Sequence, residues 1–133
     1  MLERNKTDTV FSPCLILAHP HVNYEALLAR AFRRLGWDVY LTRSGPEARR
    51  LARMLEADVV ILHADLPEES GWLTCDKLTR EQPFVRVILV SDDVSPLNRE
   101  LASFVGASVL VNHADGLAPL IEELAGTAVH AAS

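Results

Sequence analysis

Asp58-Val59-Val60-Ile61-Leu62-His63-Ala64-Asp65-Leu66-Pro67 is the stretch whose reading decides the fold. Its first five residues read as a strand. The unbroken apolar run suggests burial on both faces, the pattern of a parallel sheet covered by helices. At the start of the helix that precedes it, Ser44-Gly45-Pro46-Glu47 has the form of a capping box. Ser44 can accept from the backbone of Glu47, whose carboxylate can reach back. The helix so opened places Ala48, Leu51, Ala52 and Leu55 on its buried face. Further back, Trp37 to Thr42 is a strand with Trp37, Val39 and Leu41 on one side. Before that, Leu28, Ala31, Phe32 and Leu35 share one helical face, and Gly36 ends the helix. The run Cys14-Leu15-Ile16-Leu17, bounded by Pro13 and Pro20, is the first strand.

The same alternation continues past Pro67. A helix is expected over residues 70–81, ending before Pro83. Phe84 to Val90 is the fourth strand. Ser95-Pro96 is a cap followed by a first-turn proline, and the fourth helix is expected to bury Leu97, Leu101 and Phe104. Ser108 to Val111 is the fifth strand. Asp115 is placed to cap the last helix, in which Leu117, Leu120, Ile121 and Leu124 share a face. Five strand–helix units in a row predict an α/β domain with a doubly wound parallel sheet. The common order for five strands is 2-1-3-4-5, with a crevice at the carboxyl ends of the first and third. Residues 1–12 are expected to form a flexible arm, 13–126 the domain and 127–133 a frayed tail.

Bulk properties agree with one domain. The chain has 133 residues, 49% hydrophobic and 23% charged, enough apolar content for a core and too ordered a composition for disorder. The net charge of -5 argues against direct nucleic-acid binding. Arg30, Arg33 and Arg34, and likewise Arg49, Arg50 and Arg53, read as solvated helix faces. Cys14 and Cys75 fit no zinc or redox spacing and read as buried thiols of a reducing compartment. No signal peptide or membrane-spanning run is evident, so the expected location is cytoplasmic, with no membrane partner. Neither a G-x-G-x-x-G fingerprint nor a P-loop is present, and no cofactor is expected.

The stretch from Pro13 to Gly126 resembles the receiver domain of bacterial response regulators, a flavodoxin-like fold. Asp58 to Pro67 followed by Gly71 looks like that family's third strand and loop, in which an aspartate ends the strand. Leu-Pro then follows three and four residues later, and glycine eight later. Val87-Ile88-Leu89-Val90-Ser91 looks like the fourth strand with its switch hydroxyl. Gly106-Ala107 followed by Val109-Leu110-Val111 looks like the fifth.

The resemblance implies a phosphorelay chemistry whose parts can be checked. An acidic pair after the first strand holds Mg²⁺, which wants oxygen ligands. The aspartate attacks a phosphoryl group, and metal and lysine neutralise its oxygens. Here the acidic pair falls on Ala18 and His19, or on Leu17 and Ala18. The acceptor is His63. The lysine falls on His113, or on Asn112 with a one-residue deletion. Only Ser91 keeps its part. Lys6 and Lys77 are the only lysines, and neither maps to this edge. The degenerate phosphorylation site is therefore Ala18, His19, His63, Ser91, Asn112 and His113, with Asp65 as an alternative acceptor of much poorer geometry.

His19, His21, His63 and His113 map to one edge of the sheet. They could hold Zn²⁺, Cu²⁺ or Ni²⁺, or form a pH-sensitive crevice, or be polar substitutions left after the loss of phosphate chemistry. Glu68, Glu69, Asp92 and Asp93 read as solvated loop charges. The expectation is a non-enzymatic pseudo-receiver in signal transduction or transcription control. It would act on a protein partner or regulatory effector, or as a homodimer, through the face of the fourth helix, fifth strand and fifth helix. Leu97, Arg99, Leu110 and Leu117 are the residues expected there. The alternative is a sensor of metal, ligand or pH.

Overall fold

The computed structural model describes residues 12–132, with side chains through residue 125. The expected N-terminal arm lies almost wholly outside the described residues. Five strands, β1 (Cys14–Ala18), β2 (Asp38–Thr42), β3 (Val59–His63), β4 (Arg86–Ser91) and β5 (Val109–Asn112), form one parallel sheet in the order β2-β1-β3-β4-β5. The helices between and after them are α1 (Val22–Arg34), α2 (Gly45–Leu55), α3 (Gly71–Glu81), α4 (Pro96–Phe104) and α5 (Ala118–Ala132). The sheet is the flavodoxin-like receiver arrangement that the alternating pattern predicts. No helix among the described residues is long and apolar enough to cross a membrane.

The period of two along each strand divides the core into two halves. Cys14, Ile16, Val60, Leu62, Val87, Leu89 and Leu110 face α2, α3 and α4. Leu15, Leu17, Val59, Ile61, Ile88, Val90 and Val111 face α1 and α5. The strands β1 and β3 are buried at every position, as the unbroken apolar runs require. Three helices start on a serine whose Oγ accepts a backbone N–H three residues on: Ser44 from Glu47, Ser70 from Leu73 and Ser95 from Asn98. Only half of the expected capping box forms. The Glu47 carboxylate turns to Arg50 on the outer surface.

Several sequence expectations fail for identifiable reasons. Strand β4 begins at Arg86, and Phe84 is fully exposed in the preceding turn. Leu97, Leu101 and Phe104 of α4 are 73%, 39% and 83% exposed. Two stripes were available on this helix, and packing takes the one with the small residue. Ala102 and the capping Val105 are buried, and the larger side chains are left outside. Leu35 closes α1 outside its helical path and is exposed, and Ala29 completes the buried face with Leu28 and Phe32. Leu110 is buried in the core and offers nothing to a partner. Asp115 lies in a 3₁₀ turn, His113–Asp115, and α5 starts three residues later. The backbone of α5 continues to Ala132, through the residues expected to fray.

Glu69 is the largest surprise in the loop after β3. It is only 7% exposed and is no solvated charge. Its carboxylate accepts from Arg49 Nε (3.0 Å) and Nη2 (3.1 Å) of α2, and from Thr74 Oγ1 (2.7 Å) and Lys77 Nζ (2.9 Å) of α3. Arg49 also reaches Glu81. Burial pushes this carboxyl up, but the hydrogen bonds from Arg49, Lys77 and Thr74 outweigh it and hold it down to about 2. Gly71 continues the same loop. A Cβ there would stand 2.2 Å from the His63 carbonyl oxygen, so the chain can fold back on β3 only with glycine.

Glu69→Gln should destabilise the domain by about 1–3 kcal/mol, because Arg49 and Lys77 lose their charge partner but remain partly solvated. The folded-state value lies below that of the unfolded chain. The contribution is therefore fully present above about pH 4.5 and is lost as pH falls towards 2. Urea titrations of both proteins at several pH values check this. A wild-type advantage that does not shrink between pH 4.5 and 2 would contradict it.

Candidate functional site

The parity of the strands explains what gathers at the carboxyl edge. His63 ends β3 on the side of Val59 and Ile61, which faces α1 and α5. His19 follows β1 with the parity of Leu15 and Leu17. His113 follows β5 with the parity of Val109 and Val111. All three therefore leave the sheet on one side. Ala18, Ser91 and Asn112 continue the opposite parity, towards α2, α3 and α4.

The imidazoles meet there. The ring centre of His19 stands 4.8 Å from that of His63, 5.5 Å from His113 and 5.5 Å from His21. His63 and His113 are 5.7 Å apart. Tyr24 of α1 lies over the group, 4.6 Å from His19 and 4.5 Å from His113. His19 and His63 are buried, at 1% and 4% exposure, whereas His21 is exposed at the start of α1.

Hydrogen bonds fix the two buried rings. The His21 N–H donates to His19 Nδ1 at 3.0 Å, and the Asp65 N–H donates to His63 Nδ1 at 3.0 Å. A neutral ring that accepts at Nδ1 carries its hydrogen on Nε2. His113 Nδ1 stands 3.5 Å from Asp92 Oδ1. His19 Nε2, His113 Nε2, Tyr24 Oη and one Glu25 carboxylate oxygen are buried without a partner. Such groups carry a desolvation cost that only a ligand, water or rearrangement can offset.

Burial first, then repulsion from His63, His113 and His21, lowers the pKa of His19 to about 4. His63 is lowered by burial, against the pull of Asp65 and Asp92. Glu25, on the inner face of α1, is pushed up to about 7 by burial. The crevice thus holds neutral imidazoles and a carboxyl that gives up its proton only near neutrality.

The other expected residues are placed as follows. Ala18 is in the core. Ser91 Oγ accepts the Asp93 N–H at 3.1 Å on the far side of the sheet from the histidines. Asn112 turns its carbonyl oxygen to the Ala114 N–H, so of the two lysine-position candidates it is His113 that enters the crevice. Asp65 is exposed, and its backbone N–H donates to His63 Nδ1. The four histidines do not converge as a metal cage. Among the described residues, the group of three or more ligand atoms lying within 4.8 Å of one another is His63, Asp65 and Asp92. Tyr24 and Glu25 were missed in the sequence, although Glu25 shares a helical face with Leu28, Ala29 and Phe32 and was legible by that spacing.

The chain matches the family model of the response regulator receiver domain over residues 16–113. No curated protein matches it. Among solved structures it is similar to a CheY-like receiver domain protein from Methanospirillum hungatei JF-1, at 14% identity and TM-score 0.81. That match covers 87% of this chain and 93% of the other. It is similar to the chemotaxis protein CheY4 of Vibrio cholerae at 16% identity and TM-score 0.81, covering 88% and 99%. A Burkholderia pseudomallei response regulator, solved with a phosphorylated aspartic acid, calcium ion and citrate, matches at 21% identity and TM-score 0.70, covering 76% and 59%.

The all-oxygen magnesium site implied by the resemblance does not fit the residues present. Ala18, His19 and His63, the residues the resemblance maps to its carboxylate positions, bring a methyl group and two buried imidazoles there.

His19 should stay neutral in an NMR titration well below pH 6.5, with a midpoint near 4. The unfolded chain then binds one more proton than the fold between those values, so His19 draws stability down as pH falls from 6.5 to 4. The raised Glu25 works in the opposite sense, adding stability as pH falls from about 7 to 4.5. A His19 midpoint at or above 6.5 would contradict the burial described.

Fold, strand order and the family match agree over most of the chain, and the protein belongs to the response regulator receiver domain family.

Proposed function

We propose that this receiver domain signals without aspartyl phosphorylation, through contact with a protein partner. The observation that carries the reading is the buried, neutral imidazole of His63 at the acceptor position, with its Nδ1 lone pair held by the Asp65 N–H. A carboxylate nucleophile and its cation cage are what make an acyl phosphate accessible, and neither is offered at that position. Asp65 lies beyond the end of β3 and exposed, away from the place where in-line transfer would be organised. The reading is non-enzymatic. Ser91 is engaged with backbone and separated from the imidazoles by the sheet.

The contact surface is the outer face of α4, where Leu97, Leu101 and Phe104 stand exposed beside Arg99, with half-buried Leu117 at the start of α5. Exposed large apolar side chains on one helix face are a docking signature. The occupant proposed is a second copy of the chain, forming a homodimer that presents itself to a regulatory effector in the cytoplasm. Neither membrane nor nucleic acid is assigned to this domain. A second reading, a ligand-sensing crevice, is favoured by the buried and unpartnered Nε2 atoms of His19 and His113 beside Tyr24 Oη.

Two measurements test the main reading. Beryllofluoride with Mg²⁺ should leave the amide resonances of Ser91 and Asp65 unmoved. A saturable shift at Ser91 would overturn phosphorylation independence. Leu97→Asp combined with Phe104→Asp should change folding stability by no more than about 0.5 kcal/mol per exposed site, yet convert the dimer to monomer in sedimentation. A dimer that survives both substitutions, or a wild-type chain that sediments as a monomer at high concentration, would remove this face as the self-contact.

A further inference from the structure

We propose that His63, Asp65 and Asp92 form a binding site for one divalent first-row transition-metal ion such as Zn²⁺. The inference rests on the ligand-sensing reading of the crevice and names the ligand. One ligand atom from each residue already lies within 4.8 Å of the other two. A bound Zn²⁺ holds nitrogen and oxygen at about 2.0–2.2 Å, so the three atoms need to close up by an ångström or so. The two partners that must move are exposed loop aspartates, free to change rotamer, while the imidazole is fixed in the wall.

The donor set selects the metal. One imidazole nitrogen with two carboxylate oxygens suits Zn²⁺, Mn²⁺ or Ni²⁺, and is a poor match for Mg²⁺, which keeps to oxygen. The lone pair on His63 Nδ1 is occupied only by the Asp65 N–H. An ion taking that lone pair replaces one backbone hydrogen bond and leaves the hydrogen on Nε2, the tautomer already present. Burial lowers the pKa of this imidazole against the pull of Asp65 and Asp92, which favours the unprotonated ring a metal needs.

His19, itself 99% buried by its 1% exposure, packs against His63 with an unpartnered Nε2, and His113 does the same against both. Asp92 also faces His113 at 3.5 Å, so ion binding would draw on a carboxylate now shared with a second imidazole. A ligand at His63 would be felt through this ring stack as far as Tyr24.

The experiment is a calorimetric and amide-NMR titration of the full chain with Zn²⁺, Mg²⁺ and inorganic phosphate in separate arms. Expected is one Zn²⁺ per chain, with shifts centred on His63, Asp65 and Asp92, and no saturable response to Mg²⁺. Asp65→Asn combined with Asp92→Asn should weaken Zn²⁺ at least about tenfold, the cost usual for losing even outer partners of a metal site. Both residues are exposed, so the variant should still fold, which its amide spectrum verifies. Zn²⁺ affinity unchanged in that variant, or shifts confined to other histidines, overturns the proposal. Silence to Zn²⁺ with saturable shifts of His19 and His63 under phosphate overturns the metal and keeps the sensing crevice. Silence in every arm overturns both.

Discussion

The ring of His63 sits at the end of a strand buried on both faces, under α1, with its Nδ1 tied to the backbone of its own loop. Strand parity forces this place on it. A side chain at position 63 must leave the sheet on the side where Leu17, Ile61 and Val90 form the core, and the same geometry delivers His19 and His113 beside it. Burial lowers both His19 and His63 below the ordinary imidazole value, so the charged form is disfavoured there. A carboxylate there would be cradled by cations in the family's phosphorelay chemistry. An uncharged imidazole whose lone pair points into its own loop has no such task.

The loop that carries Asp65 is held from both ends. Gly71 allows it to press against the His63 carbonyl, and Glu69 anchors it to α2 and α3 through Arg49, Thr74 and Lys77. This ties the geometry of the crevice to the packing of two helices on the opposite face of the sheet. On that opposite side Ser91 Oγ accepts the Asp93 N–H after β4, and α4 presents leucine and phenylalanine to the outside.

Much of this was legible in the sequence. The unbroken run at Val59–Leu62 pointed to a parallel sheet, and Ser44 and Ser95 marked two helix starts that form as caps. Four histidines at strand ends pointed to one edge because parallel strands share their carboxyl edge, with β1 and β3 adjacent and β5 further along. What the sequence hid is instructive. On α4 the larger apolar side chains face outward, and tertiary packing turns Ala102 inward. Glu69 looked like a solvated charge because its partners, Arg49 and Lys77, lie on other elements and are brought to it only by tertiary packing. Leu110 looked available for contact because its strand is at the edge of the sheet, yet α4 covers its face.

The central claim is that this crevice cannot hold an acyl phosphate. It is tested most directly by intact-protein mass spectrometry of the chain incubated with acetyl phosphate and Mg²⁺, with a His63→Asp variant alongside. The account predicts no phosphoryl adduct on the wild-type chain. The His63→Asp variant is the comparison that restores a carboxylate at the acceptor position, beside Asp65 and Asp92. A stable, hydroxylamine-sensitive adduct on an aspartate of the wild-type chain would contradict it.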